Sequence, residues 1–109
     1  MRLTSELWVA AYLRRLNLEG IHAYVMKRGD ATAGAVLVKL STLDGRAVCF
    51  QRSFDLETGV RTWMELVNGA EADVEATLSR QKEFDPDLWV IELEDPRGRH
   101  LLDEPGLSE

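Results

Sequence analysis

The sequence contains few of the residues that would place it in a specialised class. Cys49 is the only cysteine among 109 residues, so no internal disulfide can form, and a buried structural thiol is favoured over a nucleophile. The longest apolar runs, residues 7–13 and 33–38, are far shorter than the roughly 20 residues that a membrane-spanning helix needs. A disulfide-stapled domain and a membrane-spanning protein are therefore excluded.

The N-terminus lacks the features of a secretory signal. Glu6 precedes the first apolar run and Arg14 and Arg15 follow it, whereas a signal peptide needs basic residues before an uncharged apolar segment. A single cysteine also agrees with a reducing compartment. We therefore expect a cytoplasmic protein.

Basic charge is scarce toward the C-terminus. The net charge is −6, and residues 83–109 hold nine of the 19 acidic side chains but only two of the 13 basic ones. Nucleic-acid footprints usually make a whole domain basic, so nucleic-acid binding is not expected.

The composition is that of an ordinary folded domain, with 45% apolar and 29% charged residues. The length suits one hydrophobic core. We predict one α+β domain over residues 1–102. Acids, Pro105 and Gly106 predict a mobile acidic tail over residues 103–109.

Periodicity and turn residues predict eight elements. A helix is expected from about Ser5 to Glu19, with Thr4 or Ser5 as its N-cap and Gly20 at its end. A second helix is expected from Asn68 or Gly69 to about Phe84, anchored by Val74, Leu78 and Phe84. Alternation or continuous apolar character predicts strands over residues 21–27, 34–40, 46–52, 88–94 and 99–102.

Two features decide how these elements combine. Residues 60–67 fit a strand or a short helix, and we favour the strand. Asp44-Gly45 predicts a hairpin joining the strands on either side of it. The expected order is αββββαββ, a mainly antiparallel sheet of four to six strands packed by two helices.

Signatures of common catalytic and cofactor sites are absent. His22, His100 and Cys49 do not have the spacing of zinc ligands. The glycines are spaced as turns rather than as a phosphate-binding loop, and no serine stands in a nucleophile elbow. No cofactor and no catalytic residue is predicted.

An acidic cluster is the most suggestive group of side chains, comprising Asp85, Asp87, Glu92, Glu94 and Asp95. Carboxylates that converge at a strand end can hold Mg²⁺ or shift each other's pKa values, which makes Asp87, Glu92 and Glu94 candidate metal ligands. The alternative is structural: a solvated strand face and turn residues beside Pro86. We favour the structural interpretation.

Aromatic residues suggest a different kind of site. Trp8 and Tyr12 lie on a first helix whose apolar surface is unusually wide. An exposed aromatic patch there would mark an interface, either with another protein or with a second copy of the chain. Trp89 is expected in the core.

The predicted order also resembles the αβββαβ core of restriction-endonuclease-like nucleases, and the opening up to the third strand is similar to their resolvase-like members. Those nucleases carry an acid on the second core strand and Glu-x-Lys on the third. Here the matching stretches, residues 34–37 and 49–52, read GAVL and CFQR. The resemblance therefore implies, at most, a form without the catalytic residues.

Residues 28–30 and 85–95, which read RGD and DPDLWVIELED, carry a resemblance over the whole chain. The sequence resembles a family of uncharacterised alphaproteobacterial proteins of about this length, classed as a domain of unknown function. That resemblance implies no activity, substrate or ligand. We therefore expect a small non-catalytic binding or assembly module. The alternative is a metal-dependent enzyme, or a degenerate nuclease-like domain, using the acidic cluster.

Overall fold

The structure, a computed structural model, describes residues 3–107. It confirms an α+β domain with two helices and one sheet, and the segment after Val60 is a strand as predicted. In chain order the elements are α1 (Ser5–Leu18), β1 (His22–Lys27), β2 (Val36–Ser41), β3 (Arg46–Phe54), β4 (Arg61–Ala70), α2 (Glu71–Phe84) and β5 (Trp89–Glu94).

The predicted last strand over residues 99–102 is wrong, so the order is αββββαβ. Leu101 adopts a left-handed conformation with φ 61°, which an extended strand does not allow. The N–H of Leu102 instead donates to Nδ1 of His100 at 3.0 Å. Residues 99–102 are therefore irregular in backbone conformation and add no strand to the sheet.

The sheet has the strand order β1-β5-β2-β3-β4. Three neighbouring pairs are antiparallel, including the predicted β2–β3 hairpin, and only β2 and β5 run parallel. The chain leaves β4 at one edge, passes through α2 and returns as β5 beside β2. This crossover places β5 in the sheet interior.

Helix α1 begins where the sequence predicts. The side chain of Thr4 accepts a hydrogen bond from the N–H of Leu7 at 3.3 Å, which satisfies one of the unpaired donors of the first turn. Gly20, with φ 73°, follows the last turn. The buried side of this helix carries Trp8, Val9, Tyr12 and Leu16.

Helix α2 begins two to three residues later than predicted, at Glu71. The preceding residues stay in β4, where Asn68 pairs with Val48 and Ala70 with Arg46. Val74 and Leu78 are buried as expected, but Phe84 is 93% exposed, so its prediction as an anchor is wrong. Neither helix within residues 3–107 is long and apolar enough to cross a membrane.

The two helices cover opposite faces of the sheet. The face toward α1 buries Trp89, Ile91 and Leu93 of β5, and the face toward α2 buries Val90. Strand β5 is thus covered on both faces, whereas the sequence predicts one partly wet face. The parallel insertion of β5 between two strands accounts for this difference.

Residues 103–107, the described part of the predicted tail, lie against the face that α1 covers. Leu107 is buried, and its carbonyl accepts a 3.1 Å hydrogen bond from the indole N–H of Trp63. Glu104 accepts a hydrogen bond from Arg15 at 2.5 Å. The rest of the predicted tail lies outside the described residues, and its mobility stays a prediction.

Candidate functional site

A row of side chains crosses the sheet beneath α2. Cross-strand pairing aligns Tyr24 with Glu92, Glu92 with Lys39, and Lys39 with Cys49. Directly paired residues point to the same face of a sheet, so these four side chains lie side by side. The row contains Glu92, one of the predicted metal ligands.

Lys39 is the centre of this row, and its side chain is only 3% exposed. Its Nζ lies 2.9 Å from Oε1 of Glu92 and 3.0 Å from Oε1 of Glu71, and it also contacts Glu75. Burial disfavours the ammonium ion, but the bonds to these carboxylates outweigh it and raise the pKa of Lys39. The lysine therefore ties β2 and β5 to α2 as a charged group.

Both carboxylate oxygens of Glu92 have a partner. One oxygen faces Lys39, and the other accepts a hydrogen bond from the hydroxyl of Tyr24. That bond, with a smaller effect of burial, raises the pKa of Tyr24 to about 12. The arrangement satisfies a buried carboxylate in the way that folded proteins usually require.

The other two predicted metal ligands do not join Glu92. Glu94 lies 3.3 Å from Nε2 of His22, and Asp87 is an exposed turn residue. Within the described range no three His, Cys, Asp or Glu side chains are grouped so that they could hold a metal ion. Metal binding at these residues stays a prediction without a preformed site to support it.

Cys49, at the end of the same row, is buried, and burial raises the pKa of its thiol to about 12. A thiol with such a pKa stays protonated near neutral pH and is a poor nucleophile. This agrees with the structural role expected from the sequence.

Trp8 and Tyr12 lie in the core rather than at the surface. Trp8 is 5% exposed and Tyr12 is 0% exposed, and their rings stack with centroids 4.8 Å apart. The hydroxyl of Tyr12 donates a 2.8 Å hydrogen bond to the carbonyl of His100, and burial raises its pKa. The two residues therefore form no exposed patch on the single chain.

Trp8 also belongs to an aromatic and cationic group that the sequence does not predict. Its ring centroid lies 5.3 Å from that of Trp63, and the guanidinium of Arg52 lies 5.1 Å from Trp8 and 4.8 Å from Trp63. Cation–π attraction favours such placement. The indole Nε1 of Trp8 is buried without a hydrogen-bond partner within residues 3–107.

This group lines a cleft of about 780 Å³ between the start of α1, the loop before β2 and the β3–β4 hairpin. Among the lining residues that the structure describes, the only charged side chains are those of Arg52 and Arg61. The apolar walls come from Leu3, Trp8, Val36, Val60 and Trp63. We call this the Trp8–Trp63 cleft.

The backbone N–H groups at the start of α1 are already hydrogen-bonded within the protein and are not directed at a ligand in the cleft. The N–H of Ser5 donates to the carbonyl of Thr32 at 3.1 Å, and that of Glu6 to Ala31 at 2.9 Å. Thr4 caps the N–H of Leu7. The positive character of the cleft therefore comes from its two arginines rather than from the helix terminus.

Of Lys39, Arg52 and Trp63, only Lys39 stands out in the sequence as a residue that needs a specific partner. Lys39 interrupts an apolar run that is predicted to be a central strand, and a charged residue in such a run needs a partner. Arg52 and Trp63 carry no comparable signal, because only the pairing of β3 with β4 places them opposite each other.

The two stretches that carry the family resemblance meet in space. The N–H of Asp30 donates to the carbonyl of Asp87 at 2.9 Å, and Nζ of Lys27 donates to the carbonyls of Pro86 and Leu88 at 2.7 and 2.9 Å. These contacts hold the entry to β5 against the turn after β1. The residues that make these contacts therefore have a structural role.

Fold and cleft together define a class: a small α+β domain whose mixed five-stranded sheet lies between two helices and carries a cationic, aromatic-lined cleft. The chain belongs to the DUF1491 family, proteins of unknown function, whose model matches residues 3–103. The resemblance expected from the sequence is confirmed. No curated protein matches the chain.

Solved structures agree with this assignment. The chain is 44% identical to a DUF1491 protein from Caulobacter crescentus determined by crystallography, with a TM-score of 0.86 and 95% and 98% of the two chains covered. An NMR structure of a DUF1491 protein from the same organism shows 45% identity, a TM-score of 0.83 and 96% coverage of both chains. A solution structure of an A. tumefaciens protein shows 33% identity, a TM-score of 0.73 and 86% coverage of both chains.

Proposed function

We propose that this protein is a non-catalytic binding module that takes up an organic anion with an aromatic or apolar body in the Trp8–Trp63 cleft. The observation that carries the proposal is the lining of the cleft. Two indole rings and two arginines meet there, and no acidic side chain lines it among the described residues.

Each part of the lining suits a part of such a ligand. Ligand sites are concave and mostly apolar, with a few polar groups that orient the ligand. Trp63 is partly exposed and offers apolar ring surface beside the buried Trp8, and guanidinium groups bind carboxylates or phosphates with two parallel hydrogen bonds. The buried N–H of Trp8 is a further donor.

The polar row beneath α2 supports a structural role rather than catalysis. Lys39 is held as a cation by three glutamates, and both oxygens of Glu92 are engaged. A general base or a Schiff-base lysine needs a group that can lose its proton near neutral pH. Neither Lys39 nor Tyr24 has such a pKa.

The test compares 2-naphthoate with 2-naphthamide, which has nearly the same shape but no charge. Binding is followed by NMR of the ¹⁵N-labelled protein, in which the indole N–H signals of Trp8, Trp63 and Trp89 report on separate places. We expect naphthoate to shift the signals of Trp8 and Trp63. The signal of Trp89 should keep its position, because Trp89 does not line the cleft.

Arg61→Gln should weaken naphthoate binding about tenfold to a hundredfold, because an ionic hydrogen bond contributes about 1.5–3 kcal/mol. Arg80→Gln, on α2 at the opposite face of the sheet, is the matched control and should leave affinity unchanged. Equal binding of the amide and the acid, or shifts confined to residues outside the cleft, would overturn the proposal.

A further inference from the structure

We infer that the outer edge of β4 is a docking surface for a second copy of this chain, which forms a symmetric dimer with a continuous sheet. β4 lies at the end of the sheet, and within residues 3–107 it pairs on one side only, with β3. It is ten residues long. Long exposed edges readily pair with another strand.

The opposite edge of the sheet contrasts with β4. β1 has six residues, and its pairing with β5 is irregular between Val25 and Lys27. Short length, a bulge and a lysine are features by which proteins protect an edge from pairing. The β3–β4 pairing is irregular at Leu66 but regular from Arg61 to Glu65, so β4 has no such protection in the five residues from Arg61 to Glu65.

The direction of the backbone groups follows from the hairpin. The N–H of Asp55 donates to the carbonyl of Val60 at 2.9 Å. Hydrogen-bonding residues alternate along an antiparallel strand, so Thr62 and Met64 also turn their backbone groups toward β3. The N–H and C=O groups of Arg61, Trp63 and Glu65 therefore point to the outer edge.

One antiparallel register satisfies these groups and matches the side chains. With Trp63 opposite the partner's Trp63, Arg61 lies opposite the partner's Glu65, and Glu65 opposite the partner's Arg61. The register forms about six backbone hydrogen bonds. It also forms two cross-strand pairs of opposite charge, and a guanidinium has five N–H donors with which to join such a pair.

The other face of β4 is equally self-complementary in this register. Met64 lies on this face and is 51% exposed. Met64 lies opposite the partner's Thr62, and Thr62 lies opposite the partner's Met64. Pairing therefore covers apolar surface that the single chain leaves in water. The sequence predicts an interface at Trp8 and Tyr12, with another protein or with a second copy, but both residues are buried in the single chain and the exposed edge is that of β4.

The first experiment measures molecular mass by light scattering and sedimentation over a range of concentrations. The wild type should approach twice the monomer mass of 12.3 kDa. Glu65→Arg and Arg61→Glu each place like charges opposite one another and should weaken the dimer about tenfold or more. The double variant Arg61→Glu/Glu65→Arg restores opposite charges and should recover the dimer.

Glu83→Arg, an exposed charge reversal on α2, is the control and should leave the mass unchanged. Circular dichroism and urea unfolding establish that each variant is folded. A wild type that stays at the monomer mass up to its solubility limit would overturn the inference. A folded double variant that stays monomeric while the wild type dimerises would overturn the proposed register.

A second experiment tests the register without using charge. Thr62 and the partner's Met64 form a pair without mutual backbone hydrogen bonds, with Cα atoms about 4.5 Å apart, a separation that a disulfide can bridge. Thr62→Cys/Met64→Cys should give a covalent dimer on mild oxidation. Thr62→Cys alone should not, because the introduced thiols of the two copies then lie diagonally apart; a covalent dimer from this single variant would contradict the register.

Discussion

The indole nitrogen of Trp89 donates a 2.7 Å hydrogen bond to the backbone oxygen of Asp30. The guanidinium of Arg28 lies 5.0 Å from the centre of the same ring. The family resemblance therefore involves two distant stretches of sequence that form one structural unit, in which the turn after β1 holds the start of β5.

Gly29 should be intolerant of any side chain. A Cβ there would overlap the carbonyl oxygen of Asp87 and approach Cδ1 of Trp89 to 2.7 Å. We expect Gly29→Ala to lower the free energy of unfolding by about 2 kcal/mol, because close-packed backbone cannot relax fully. Urea unfolding measures this.

Gly69→Ala is the matched control, because no atom lies within 4 Å of its added Cβ. It should change stability by less than about 0.5 kcal/mol. Equal effects of the two substitutions would contradict the role assigned to Gly29.

Removing the charge of Lys39 should destabilise the protein strongly. Lys39→Met leaves Glu92 buried without its cation, and breaking one partner of a buried ion pair costs about 3 kcal/mol. The carboxylates of Glu71 and Glu75 are partly exposed, so water can solvate them when Lys39 is removed. The free energy of unfolding in urea at neutral pH is the measurement.

The double variant Lys39→Met/Glu92→Gln should recover part of this loss, because it removes the unpaired charge. Lys82→Met, in the last turn of α2, is the control for the loss of a lysine. A double variant less stable than Lys39→Met would show that the unpaired carboxylate is not the cause.

Stability should fall in mild acid because of His100. Burial lowers the pKa of His100 below its ordinary value of 6.5, and its Nδ1 accepts the N–H of Leu102. The unfolded chain therefore binds this proton more readily than the folded one. The contribution of His100 is present above pH 6.5 and is lost as the pH falls from there through its pKa in the folded protein.

His100→Gln should remove this part of the pH dependence, measured as unfolding free energy between about pH 7.5 and pH 5. Loss of stability at still lower pH should persist, because Arg99 holds the pKa of Asp95 below its ordinary value. His22→Gln, at a side chain that is 68% exposed, is the control and should keep the mild-acid loss. An unchanged slope in His100→Gln would contradict the assignment.

Local pattern was sufficient to predict much of the fold. Thr4 and Gly20 delimit α1, Asp44-Gly45 marks the β2–β3 hairpin, and alternation assigns Trp89, Ile91 and Leu93 to one face of β5. These features depend on neighbours in sequence. Hydrogen-bond caps, positive φ and period-two burial act within a few residues, so one sequence reveals them.

Other features depend on residues far apart in the chain. Phe84 looks like a helix anchor but lies in water, and residues 99–102 look like a strand but include the left-handed Leu101. The candidate site shows the same limit, since the predicted ligand Glu92 meets Lys39 only because β5 inserts beside β2.

The sequence by itself determined the class of the domain, its two helices and the five strands that form, because cap, turn and periodicity signals are local. Only the tertiary structure decided that Trp8 and Tyr12 are buried and that Arg52 lies between Trp8 and Trp63. The physical reason is that burial and charge pairing depend on strand order and register, which long-range packing selects.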